Sequence, residues 1–259
     1  MKTLVHVEDH AVAQMMMAAI EAYEIKHRSS KRTKARDRIE TFGLLWGYVV
    51  PTKDTIAAKI IVTHATIETS ALRDEDSVTP DFESMQFKKA FMGKYWPNVE
   101  LVGTFHSHPY GSVQKVKEVK GWQASIADTI FLPEVHEELA REQPHFAHLI
   151  VTVAKMSKSG WASPQRLSLA SEEKAGYEIT ADDRKLWLRA YSSYFNYDEP
   201  EDDTEVDADG EEYDLEWDDE TMDLDADLEV DNFKTPVWLE AHFNQEVELH
   251  IPSIERRFA

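Results

Sequence analysis

Two histidines stand one residue apart in the stretch GTFHSHPYGS, Gly103–Ser112, just after an apolar run and just before a proline. The run Val99–Phe105 is rich in β-branched and aromatic residues and reads as a strand. Strand residues i and i+2 point to one face, so His106 and His108 converge. Two neutral imidazoles on one side are half of a site for a zinc-like ion. Downstream, Ser125 and Asp128 are spaced Ser-x-x-Asp within Gly121–Leu132, a stretch that reads as a helix. Positions i and i+3 share a helix face, so both side chains can look at one point. Two His and one Asp make three ligands and leave a fourth position for water, as a catalytic site requires. Hydrolysis needs two further parts: a base for the proton of water and a donor for the developing oxyanion. Ser125 can donate. Glu40, at the head of the most apolar strand, is a carboxylate at a strand edge that can act as the base.

The elements that must position these residues follow from pattern. Residues 9–28 read as a helix with Asp9 as cap and Val12, Met16, Ala19 and Tyr23 on one face. Glu40–Pro51 and Ala57–Ala65 read as strands of a hairpin. Thr79-Pro80 is a helix start, Phe82, Met85, Met92 and Trp96 form that helix's face, and Pro97 ends it. Phe146–Ala154 and Arg166–Ala170 read as strands. Thr180–Phe195 reads as a helix with a Thr-x-x-Asp start. Val237–Ile251 is amphipathic and fits neither class firmly. Four parts are expected: a domain over 1–175 that carries these residues, a C-terminal helix over 176–197, an acidic segment over 198–231 and an amphipathic segment over 232–259.

Together these residues resemble the JAMM (MPN-plus, JAB-domain) zinc metalloproteases. That family carries a Glu before a Gly-Leu-Leu-x-Gly-like strand, then His-Ser/Thr-His-Pro, then Ser-x-x-Asp. Here the pieces stand as ETFGLLWG, HSHP and SIAD. The resemblance covers about residues 9–170. It implies an α/β MPN fold, a mixed and largely antiparallel sheet flanked by helices, and one Zn2+ per chain on His106, His108 and Asp128. It also implies Glu40 as general acid/base and Ser125 as oxyanion donor. The activity implied is that of a prokaryotic-type, deubiquitinase-like isopeptidase, cutting a peptide or isopeptide bond at the C-terminus of a ubiquitin-like protein. The alternative is a silent scaffold or binding subunit of a larger complex. Sixteen residues separate His108 from Ser125, a longer spacing than the family's usual one. This insertion is expected to loop beside the site and form groove wall, with Ser107, Pro109, Tyr110 and Trp122 as groove residues.

Composition bounds the alternatives. With no cysteine, thiolate sites, disulfides and zinc deaminase chemistry fall away. His136 is followed by Glu but by no second His in the gluzincin spacing, and is expected on a helix surface. His145 and His148 flank a strand start and read as structural or exposed. No run is long and apolar enough for a membrane helix, and the expected location is the cytoplasm. The formal net charge is −21, but Asp198–Asp231 holds 20 acids and no base. Setting these aside leaves 29 acids against 28 Lys and Arg. The body is therefore nearly neutral and lacks the basic face that nucleic acid requires. The acidic segment alternates acids with apolar residues. It reads either as a solvated tail or as a strand that binds a basic partner or the chain's own basic loops, Lys26–Arg38 and Lys115–Lys120.

Overall fold

The computed structural model describes residues 2–28, 34–52, 56–196 and 240–256. In chain order the elements are β1 (Lys2–Val7), α1 (Asp9–Glu24), β2 (Phe42–Pro51), β3 (Ile56–Ile67), β4 (Leu72–Arg73), β5 (Val78–Thr79), α2 (Phe82–Tyr95), β6 (Glu100–Tyr110), α3 (Val113–Val119), α4 (Ile126–Leu139), β7 (His145–Arg166), β8 (Gly176–Phe195), β9 (Ala241–Asn244), β10 (Val247–His250) and α5 (Pro252–Glu255).

Eight strands form one sheet in the order β10-β1-β3-β2-β6-β7-β8-β9, and β4 pairs with β5 in a small hairpin. β6 lies inside the sheet, antiparallel to β2 and parallel to β7. The histidine-bearing strand is therefore held on both edges, with Phe42 opposite His106 on one side and Ile150 on the other. Side chains of β2 divide by the period of two. Phe42, Leu44 and Trp46 pack with Met85 of α2 and with Val135 and Leu139 of α4, whereas Leu45 joins the larger core around Val5, Met15, Phe105 and Leu149. Met15 and Met85 are wholly buried. Truncating either to alanine costs about 2–5 kcal/mol and loosens a helix from the sheet that carries the site.

Three expectations are corrected here. The MPN fold, a sheet flanked by helices, is not what the chain adopts: strands dominate, and the eight-stranded sheet curls into a nearly closed, barrel-like form. The curl brings the two ends of the sheet near each other, where the hydroxyl of Tyr177 on β8 donates to the carbonyl of Leu249 on β10 at 3.0 Å. The helix expected over 176–197 is instead the long strand β8, paired with β7 along its length and with β9 at its end. Its segment Leu186–Ser193 is buried throughout, so it shows no alternation, and a strand buried on both faces cannot be told from a helix by period. Its β-forming aromatics, Tyr177, Trp187, Tyr191 and Tyr194, carry the strand preference. Finally, Arg166–Ala170 is not a strand of its own; β7 runs unbroken from His145 to Arg166 and the chain then turns.

Capping differs in detail from the pattern. Asp81 rather than Thr79 caps α2, accepting from the Ser84 amide at 3.1 Å. Asp9 lies in the first turn of α1, where a carboxylate suits the helix dipole. The unassigned stretch near the C-terminus supplies β9, β10 and α5, and β10 pairs parallel with β1. The compact unit built from these elements lies within Met1–Phe195 and Glu240–Ala259. The acidic segment 198–231 lies outside the described residues.

Candidate metal centre

β6 presents Thr104, His106 and His108 at alternate positions, all buried. The two imidazoles converge: their Nε2 atoms are 3.0 Å apart. α4 completes the set from the other side of the cleft. Ser125 caps it, its Oγ accepting the Asp128 amide at 3.1 Å, while the Ser125 amide donates back to Asp128 Oδ2 at 2.6 Å. This capping box fixes the first turn and turns the Asp128 carboxylate toward the histidines. Oδ1 lies 3.2 Å from His106 Nε2 and Oδ2 lies 3.4 Å from His108 Nε2.

These separations test the group against an ion. Donors about 2.0–2.1 Å from a tetrahedral centre lie about 3.3 Å from one another, close to the distances found. The donor atoms of His106, His108 and Asp128 all fall within 4.8 Å of one another, and the group could hold a metal ion. The second shell fits as well. His108 Nδ1 lies 3.1 Å from the Gly121 carbonyl oxygen. A carbonyl only accepts, so Nδ1 carries the proton and Nε2 keeps its lone pair for a ligand. Gly121 can approach this closely because it has no side chain; a Cβ there would meet the Tyr110 ring at 2.5 Å.

Electrostatics reflect three groups crowded together. At His106 burial wins and lowers the pKa. At His108 burial also opposes charge, but the hydrogen bond and charge of Asp128, with Glu40 beyond, outweigh it and raise the pKa. Burial works against the Asp128 carboxylate too, yet the two imidazoles hold its pKa well below the usual range. Glu40 precedes β2, its amide donating to the Asp74 carbonyl at 2.7 Å. Burial pushes its pKa up to about 7; nearby His108 pulls it down, and Asp128 and Asp76 push it further up.

A cleft of about 340 Å3 gathers the expected groups: Glu40, His106, His108, Ser125 and Asp128 all line it. No protein-family model matches this chain, and no curated protein matches it.

Of the four expected groove residues, Pro109 and Tyr110 line the cleft. Ser107 does not: it is buried on the opposite face of β6, where its Oγ accepts the Thr41 amide at 3.0 Å and its own amide donates to the Thr41 carbonyl at 3.0 Å. The alternation that brings His106 and His108 together turns Ser107 away, and its bonds to Thr41 secure the residue next to Glu40. Trp122 is also buried, with its indole N–H donated to Glu172 at 2.9 Å. Two parts of the cleft had no clear sequence signal. The β4–β5 hairpin supplies Glu75, Asp76 and Val78 as one wall, and Phe42 and Phe131 supply apolar lining. No helix among the described residues is long and apolar enough to cross a membrane.

Proposed function

We propose that this protein is a zinc-dependent metallopeptidase that hydrolyses a peptide or isopeptide bond at the C-terminus of a ubiquitin-like protein. The observation that carries the reading is the meeting of a buried carboxyl, Glu40, with a His2Asp donor set in one cleft. Two imidazoles and one carboxylate suit zinc and match a catalytic rather than a structural ligand set. The amide class of substrate rests on the motif resemblance to JAMM metalloproteases.

Zinc, when bound, supplies Lewis acidity that brings the pKa of water near 7 and polarises a carbonyl. His106, His108 and Asp128 would hold it. Glu40 takes a proton from the attacking water at a carboxylate oxygen. The water oxygen forms the new bond to the carbonyl carbon, and the carbon–nitrogen bond breaks. Glu40 returns the proton to the leaving nitrogen, so the products are a carboxylic acid, which keeps the second proton of the water, and a free amine; at neutral pH that proton passes to the amine. A carboxyl whose pKa is about 7 can both take and give a proton near neutral pH. Ser125 Oγ already accepts from the Asp128 amide, which leaves its own O–H free to donate to the oxyanion.

Zinc-loaded protein incubated with ubiquitin-like domains, extended at the C-terminus or conjugated to lysine, tests the reading. Cleavage at the junction, lost in Glu40→Ala, is the expected result. A protein that binds no stoichiometric zinc by metal analysis would instead be a scaffold.

A further inference from the structure

Sixteen residues lie between the second histidine and Ser125, and instead of looping out they hold the end of β6, the helix α3 and a short connection; that connection must lose its freedom before it can hold a catalytic helix in register. Its last four residues before α4 are each tied down. The Gly121 carbonyl accepts from Thr152 Oγ1 at 3.0 Å as well as from His108. Trp122 donates to Glu172 Oε2 at 2.9 Å and its ring stacks on Trp187. The Gln123 side-chain amide donates to Glu172 Oε1. The Ala124 amide donates to the Tyr191 hydroxyl oxygen at 2.8 Å. The next residue is the cap that aims Asp128.

Glu172 is the centre of this arrangement. Its side chain is 10% exposed, and Arg189, 4% exposed, pairs with it at 2.9 Å. Two donors, from Trp122 and Gln123, and one ion-pair partner, Arg189, therefore meet one buried carboxylate. An ionised carboxylate accepts from both donors and balances the guanidinium charge, whereas an amide would turn an NH2 group against a donor.

We propose that Glu172 is a positioning residue for the metal centre: it latches Trp122 and Gln123 to the body of the fold and so sets the place of Ser125 and Asp128. The inference rests on reading His106, His108 and Asp128 as ligands. It accounts for a site that keeps its geometry despite the long insertion. Arg189 balances the buried charge, and Tyr191 closes the last gap before the helix.

The test compares the full chain with Glu172→Gln and with the double variant Glu172→Leu/Arg189→Met, which removes both charges together. Zinc affinity is read by competition with a chromophoric chelator, and the ligand field by the visible spectrum of the cobalt-substituted protein. Glu172→Gln is expected to weaken zinc binding about 10- to 100-fold and to change the cobalt spectrum. The double variant is expected to melt closer to the wild type yet keep the weakened affinity, because the donors of Trp122 and Gln123 still lack an acceptor. A residue needed only for stability would lower the melting temperature and leave zinc affinity and cobalt spectrum unchanged in the folded protein; that result overturns the proposal. Should the wild type bind no zinc, the hydrolase reading fails, and hydrogen exchange then judges the latch: faster exchange at the Ala124 amide and the first turn of α4 in Glu172→Gln supports it, and unchanged exchange overturns it.

Discussion

Two histidine clusters grow from neighbouring residues of β6 and differ in one respect. The first is closed. Thr104 Oγ1 lies 3.0 Å from His148 Nδ1, His148 Nε2 lies 2.9 Å from Ser193 Oγ, Ser193 Oγ lies 2.8 Å from His136 Nδ1, and His136 Nε2 lies 2.8 Å from the Gln143 carbonyl oxygen. The terminal carbonyl sets the direction of every bond. His136 Nε2 donates to it, so Nδ1 accepts the Ser193 hydroxyl, whose oxygen accepts from His148 Nε2, and His148 Nδ1 accepts from Thr104. Each nitrogen of the two rings has a partner, and both rings are wholly buried. The second cluster, two residues along the strand, turns His106 Nε2 and His108 Nε2 toward each other and toward Asp128 at the wall of a cleft. A satisfied chain leaves nothing for a ligand; convergent lone pairs with an opening ask for one. Residue type alone does not separate the two, since both contain His and hydroxyl groups.

The contrast can be broken, and the largest effect lies on the open side. His106→Ala is expected to abolish stoichiometric zinc binding and all cleavage, measured by metal analysis and product formation. Retained metal would erase the distinction between the clusters. Glu40→Gln should keep the metal and lower kcat by about 10²–10⁴-fold, because the carboxyl lines the cleft without belonging to the ligand group.

On the closed side, His148→Leu leaves the Thr104 hydroxyl without its acceptor and takes from Ser193 Oγ the donor it accepts, while the Ser193 bond to His136 stays. A stranded buried group costs about 1–3 kcal/mol, so denaturant unfolding should register roughly 2–4 kcal/mol of lost stability. Zinc affinity should not change. The smallest effect is one of pH. Burial holds the pKa of His136 down at about 4, below the ordinary value of about 6.5. Between these values the unfolded chain binds the proton and the folded chain does not, so stability falls as pH drops from 6.5 toward 4 and is fully present above 6.5. The loss attributable to His136 is roughly 3 kcal/mol at most, measurable as a fall in urea midpoint between pH 7 and pH 4.5. A midpoint indifferent to pH in that window would contradict a closed, neutral network.

The candidate site was legible because its signals are local. His106 and His108 converge by the period of a strand, Ser125 and Asp128 by the period of a helix and by capping chemistry, and Glu40 announces itself at the head of an apolar strand. The rest depends on partners far away in the chain. His136 looks like a surface helix residue from its sequence context, yet Ser193 and Phe195 of β8 bury it. Glu172 sits in a turn of ordinary composition, and its importance comes from donors 49 and 50 residues away. Burial on both faces erases the alternation of β8, while Thr180 and Asp183 imitate a helix start. β1, whose six residues alternate in burial, carries the period of a strand in its sequence. Its parallel pairing with β10 could not be read, because register between segments 244 positions apart leaves no mark in either one.

That pairing bears on biosynthesis. β9 lies along the free side of β8, and β10 along the free side of β1, so both borders of the sheet are finished only by residues 241–250. Until the ribosome has released them, the nascent protein shows two rows of unpaired amides and carbonyls, the kind of border that recruits other chains. Translation halted at Phe195 would thus make a polypeptide with every side chain of the candidate metal centre and a strong tendency to clump.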